Sequence, residues 1–227
     1  MTEDSYGAFA SVQFGAAIAS GNSVTLNGGA VNEWVIGGIV RSNGASATAS
    51  GNWVTINGGT VERDIMGGEA GCSSFGFGIA TASGNWVTVS GGTVGRDITG
   101  GRAFGSIDAA TASGNWVTIN DGTVGRDIFG GVADSAGAAT ASGNWVTISG
   151  GTVTGAVYGG KAALYDFLPP VPPGGNPDPD GIATATGNSV TIDGGTVNST
   201  HIYGGYAESG WGSSTATGNI VTHCCPV

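Results

Sequence analysis

A Gly-Asn dipeptide preceded by Ser or Thr recurs seven times along this chain, at Gly21, Gly51, Gly84, Gly114, Gly143, Gly187 and Gly218. The intervals are 30, 33, 30, 29, 44 and 31 residues. A fixed period of about 30 residues marks a repeat architecture, in which one unit cannot bury a core alone and stacked units can. The typical unit reads T-A-S-G-N-W-V-T-I-x-G-G-T-V-x-R-D-I-x-G-G-x-A. Six units are present. A seventh runs through Thr215-Ala216-Thr217-Gly218-Asn219-Ile220-Val221-Thr222 and puts His223 where the others carry Leu, Ile or Val.

Each unit consists of short β-branched runs bounded by glycine pairs, which is strand and turn chemistry. Side chains alternate between faces along a strand. In Trp53-Val54-Thr55-Ile56 the aliphatic pair therefore shares one face and the Trp and Thr share the other. The same split holds at Trp86–Val89, Trp116–Ile119 and Trp145–Ile148. Thr60-Val61, leading to Ile65, and Thr48-Ala49-Ser50 read as further short strands. Three short sides per 30 residues predict an all-β fold, a parallel β-helix (β-solenoid) of about seven coils. At about 4.8 Å per coil its core is roughly 30 Å long. A β-propeller needs roughly 40–45 residues per blade, so these units are short for one. Antiparallel hairpins joined by Gly-Gly turns share the period and stay open.

Stacked coils align equivalent residues into ladders. Asn22, Asn52, Asn85, Asn115, Asn144, Asn188 and Asn219 form one, expected to be structural because side-chain amides satisfy one another along the axis. Trp53, Trp86, Trp116 and Trp145 form an outer column, with Ser23 and Ser189 in place of Trp beyond it. Such a column either stiffens the sheet or offers aromatic surface to a sugar or another molecule. Thr55, Thr88, Thr118 and Thr147 make a hydroxyl column, and Thr48, Thr81, Thr111 and Thr140 make another, followed two residues on by Ser. That T-x-[ST] pattern resembles the ice-binding faces of β-helical antifreeze proteins, although Thr is also an ordinary strand residue. Arg63-Asp64, Arg96-Asp97 and Arg126-Asp127 repeat on three coils. Like charges about 4.8 Å apart repel, so Arg and Asp columns are expected to interleave. The segment superficially resembles a calcium-binding nonapeptide, but the Asp lies one position late and no nine-residue tandem exists.

The chain reads as a single repeat domain over 1–227: a lead-in over 1–15, coils over 16–160, an inserted loop over 161–182, and last coils over 183–227, the final one truncated. Six of the seven prolines lie in the insert, which must leave the sheet because proline lacks a ladder donor. Its acids Asp166, Asp178 and Asp180 give no fixed acid–base pair, and no nucleophile motif or nucleotide fingerprint occurs. The chain is therefore expected to be no enzyme, with no catalytic residues, no metal site and no cofactor. The net charge of −10, from 16 acidic and 6 basic residues, argues against nucleic acid as a partner. No apolar run is long enough for a spanning helix. Cys72, Cys224 and Cys225 are expected to be free thiols, since adjacent cysteines rarely bond each other. The acidic start Met1-Thr2-Glu3-Asp4 does not read as a signal peptide.

The run Gly51-Asn52-Trp53-Val54-Thr55-Ile56-Asn57-Gly58-Gly59-Thr60-Val61, with the unit's end as in Ile202-Tyr203-Gly204-Gly205, resembles the Gly-rich passenger repeats of bacterial autotransporter and related surface adhesin proteins. The resemblance covers about Ala16 to Thr222. It implies a β-helical stalk at the cell surface or outside the cell, acting in adhesion or self-association. The expected function is a structural, adhesive solenoid that assembles end to end as a homo-oligomer or filament, with a glycan or cell-surface ligand as a further partner. The alternative is an ice- or glycan-binding module that uses the Thr or Trp columns.

Overall fold

The computed structural model describes residues 4–13, 15–72, 78–105, 108–164, 181–210 and 212–224. Its strands lie in three sheets, each with seven rungs along one axis. Neighbouring rungs are parallel and come from successive repeats, which is the predicted parallel β-solenoid and excludes hairpins and blades. No helix among the described residues is long and apolar enough to cross a membrane.

One coil shows the plan. A glycine-rich strand, Ile98–Phe104, is followed by an alanine strand, Ala109–Ser113, and then by a tryptophan strand, Trp116–Val124. We call the three sheets the glycine, alanine and tryptophan faces. Pairing joins like with like: Trp86 to Trp116, Thr81 to Thr111, Ile98 to Ile128. Register also survives the 44-residue interval, since Trp145 pairs with Ser189 and Ala138 with Ile182. The glycine-face strand Val157–Leu164 includes four residues that the sequence assigns to the insert, and the next strand already begins at Ile182. Leu164 packs against the alanine core, so apolar contact holds this end of the excursion on the coil. The prolines and Asp166, Asp178 and Asp180 lie outside the described residues.

The interior has two compartments. Val and Ile fill the larger one: Ile98, Val117, Ile119 and Val124 in one coil are all fully buried. Burying each such side chain stabilises by roughly 1.5–3 kcal/mol. The second compartment, between the alanine face and the far half of the glycine face, is filled by methyl groups such as those of Ala103, Ala110 and Ala112.

Between the compartments runs the Asn ladder. Asn115 is fully buried. Its Nδ2 donates to Asn144 Oδ1 at 2.9 Å and to Ala82 O at 3.0 Å. Its Oδ1 accepts from the backbone N and the Nδ2 of Asn85. Burying an amide is tolerable only when it is satisfied in this way. The Gly-Asn step provides the corner, with Gly114 at φ 58°, where a residue with a Cβ is strained. Across the seam lies the second glycine of each I-x-G-G run. A Cβ on Gly101 would overlap the Asn115 amide. The glycine pair and the Gly-Asn pair are thus two sides of one seam.

Candidate functional site

The repeated outer columns lie where the sequence places them. Trp53, Trp86, Trp116 and Trp145 stack with ring centroids 5.6, 4.9 and 4.5 Å apart. Because the rings cover one another, the inner ones turn edges rather than faces to solvent. Thr55, Thr88, Thr118 and Thr147 run beside them on the same face. On the alanine face, Thr48, Thr81, Thr111 and Thr140 form one hydroxyl column and Ser50, Ser83, Ser113 and Ser142 a second, in unbroken register. The Asn column is interior, fully buried from Asn52 to Asn188.

The Arg-Asp corner differs from the expected interleaving. Each Asp accepts a backbone N–H from the next coil: Asp97 N donates to Asp64 Oδ1 and Asp127 N to Asp97 Oδ1, both at 3.0 Å, and Ala156 N to Asp127 Oδ1 at 2.7 Å. Asp was favoured here as a rung-to-rung acceptor, which alternation of charge along the chain does not reveal. Arg63 instead pairs with Glu33 at 2.9 Å and lies over the Trp34 ring. Burial, with Asp64 and Asp127 beside it, pushes the Asp97 carboxyl above the usual carboxylate range.

The outer side of the glycine face is the feature the sequence reading missed. The Gly-Gly bend makes it concave, and two adjoining hollows of about 260 and 380 Å3 lie along it. All six basic residues of the chain stand on this face or at its leading corner. Arg41 pairs with Glu69, and Arg102 reaches both Glu69, at 3.9 Å, and Asp134, at 3.5 Å. Glu69 and Asp134 are buried. Arg41 and Arg102 lie over the Phe104 ring, 4.9 and 5.4 Å from its centre. Toward the last rungs the groove turns aromatic. Phe129, Tyr158 and Tyr203 stack at 5.0 and 5.2 Å, Tyr206 meets both tyrosines, and Lys161 bonds Glu208 at 3.3 Å. Burial raises the Tyr158 phenol above its ordinary value.

Here the repeat stops repeating. The position after the second glycine, or after Ala8 in the first rung, is, rung by rung, Phe9, Ile39, Glu69, Arg102, Val132, Lys161 and Tyr206. No residue type occurs twice in that column. Two residues on, Ser11, Arg41, Gly71, Phe104, Asp134, Ala163 and Glu208 also all differ. Comparing the units column by column would have exposed this surface. Cys72 is a buried free thiol whose Sγ donates to Ala45 O, and Cys224 is an exposed one. Cys225 lies outside the described residues.

By architecture the chain is a parallel β-solenoid repeat protein. No family model, curated protein or solved structure matches it.

Proposed function

We propose that this chain is a non-enzymatic structural and adhesive element, extracellular or at a cell surface, whose solenoid adds end to end to further copies of itself. The observation that supports this is the complementarity of the first and last described rungs. The Asn ladder is directional, each Nδ2 donating to the Oδ1 of the following rung. Among the described residues, Asn22 Oδ1 at the first rung accepts no hydrogen bond, and Asn219 Nδ2 at the last donates only to Ala185 O. A second copy stacked head to tail brings that donor to that acceptor. The cores match as well. Val221 is 47% exposed, while Val190, one rung inward in the same column, is fully buried. Unpaired parallel edges favour strand addition. The likeness to autotransporter passenger repeats supports placement at a surface.

Electron microscopy and sedimentation across a concentration series test this. Filaments with an axial rise of about 4.8 Å per coil are expected. Val221→Lys, which places a charge on the end of the core, is expected to leave discrete particles. Discrete particles of the unaltered protein at every concentration would overturn end-to-end assembly.

A second reading rests on the alanine face. Its two hydroxyl columns, led by Thr48, Thr81, Thr111 and Thr140, form a regular array without large side chains between them. That array suits ice binding better than the Thr55 column, which the stacked tryptophans flank. Ice crystals shaped by the protein and unshaped by Thr81→Tyr with Thr111→Tyr would favour it. Unshaped crystals with both proteins would remove it.

A further inference from the structure

One large side chain is missing from the outer column that leads into the Gly-Gly bend. Met66, Thr99 and Phe129 are successive members of that column. Thr99 is short and only 7% exposed. The rings of Phe129, Tyr158 and Tyr203 continue the stack on one side. Tyr158 covers one face of Phe129, nearly parallel to it at 10°. Phe129, Thr99 and Met66 together line the hollow of about 260 Å3. Two rung steps separate Met66 from Phe129, about 9.6 Å. That admits one ring-thick group at the spacing of the Trp rings, 4.5–5.6 Å. The volume falls just below the roughly 300–1,000 Å3 of pockets for drug-sized molecules, so it suits a single ring.

The walls are polar and of both signs. Asp97 lines the hollow, with Oδ1 held by Asp127 N and Oδ2 accepting no hydrogen bond among the described residues. Arg102 and Lys161 line the other side. A cation entering would meet Arg102 and Lys161, and an anion would meet Asp64, Asp97 and Asp134. A flat apolar ring would strip water from these groups without replacing its hydrogen bonds, which is costly. A neutral ring bearing hydroxyls escapes all three penalties. Its hydroxyls donate to carboxylate and accept from guanidinium and ammonium, and its C–H face packs on an aromatic ring.

We propose that the Thr99 vacancy between Met66 and Phe129 is a binding site for one neutral hexopyranose ring of a glycan. The site lies on a different face from the Trp and Thr columns and does not depend on end-to-end assembly. Loss of sugar binding and loss of filaments are therefore separately observable.

The test uses the methyl glycosides of glucose, galactose and mannose as probes, with saturation-transfer NMR and titration of the full chain. At least one is expected to bind. Thr99→Tyr supplies the missing large side chain and should weaken that binding at least tenfold, while its circular dichroism and melting stay those of a folded solenoid. Should that variant not fold, Phe129→Leu, which removes the ring face and keeps an apolar side chain, is expected to weaken binding at least tenfold. Asp97→Asn should weaken it several-fold, and Trp86→Ala not at all. The proposal is overturned if none of the three glycosides binds, if the folded vacancy or Phe129 variants bind as the unaltered protein does, or if Trp86→Ala loses binding to the same degree.

Discussion

The tryptophan and glycine faces are built on the same seven rungs, yet one repeats its residues and the other does not. On the tryptophan face the inner rings, Trp86 and Trp116, touch their own kind above and below, so replacing either breaks two stacks. Each stack contributes about 0.5–1.5 kcal/mol beyond area burial. Uniformity there is self-reinforcing. In the groove the neighbours are charged. A uniform column would place like charges one rung apart, so Arg41, Glu69, Arg102 and Asp134 alternate instead. One rung geometry thus rewards sameness for rings and amides and, in the groove, difference for ions. Once difference is required, the column becomes the place where individual coils acquire individual chemistry.

The largest expected effect lies under both faces, in the seam. Asn115→Leu removes the acceptor of Asn85 N and Nδ2 and the donor to Asn144 and Ala82. Leaving buried polar groups unpaired costs about 1–3 kcal/mol each, so the variant should melt far below the unaltered protein or fail to fold. An unchanged Tm would mean that the seam is not what joins the compartments. Next comes Arg102→Glu, which makes the groove column acidic over neighbouring rungs. Removing one partner of a buried pair costs about 3–5 kcal/mol, and Arg102 is partly exposed, so roughly 1–3 kcal/mol is expected by denaturant titration. The converse change on the other face, Ser189→Trp, extends the ring column beyond Trp145 and should stabilise by about 0.5–1.5 kcal/mol. If both substitutions moved stability in the same direction, the contrast between the faces would collapse.

Much of this was legible in sequence. The period located the rungs, and the alternation in Trp-Val-Thr-Ile assigned Val54 and Ile56 inward correctly, because long aliphatic side chains beside Trp and Thr leave one choice of face. The alanine compartment was less legible. In Thr-Ala-Ser the inward residue is the smallest of the three, and nothing marks a methyl group as core until the opposing wall is seen. The seam was half legible. The Asn ladder follows from the repeat, but the pairing of Gly101 with Asn115 crosses the coil and has no sequence spacing of its own. The groove was hidden by the act of writing a consensus. Met66, Thr99, Phe129 and Tyr158 fall on a variable position of I-x-G-G, and a consensus discards what varies. The Arg-Asp repeat misled because adjacent charges suggest ion pairs, whereas the carboxylate of Asp97 serves the backbone of the next coil.

The smallest effect concerns that carboxylate. Asp97 lies between Asp64 and Asp127 at a half-buried corner, and its pKa is raised first by burial and then by those neighbours. The folded chain therefore binds this proton more tightly than the unfolded chain, where an aspartate titrates near about 3.9. In the window between the unfolded and folded values, the folded state carries more proton, so this group's contribution to stability falls as pH rises. Above the window the penalty of a charged Asp97 is fully present, and below the unfolded value it is gone. Asn at this position keeps the Oδ1 acceptor for Asp127 N and removes the charge. Asp97→Asn should therefore raise Tm slightly at pH 7, and the gain should shrink as pH falls through the folded value and vanish below the unfolded one. A gain that persisted at low pH would assign it to packing. A loss at pH 7 would mean that the charge itself strengthens the bond to the next rung, and the acidic corner would then belong with the ionic groove rather than with the neutral ladders.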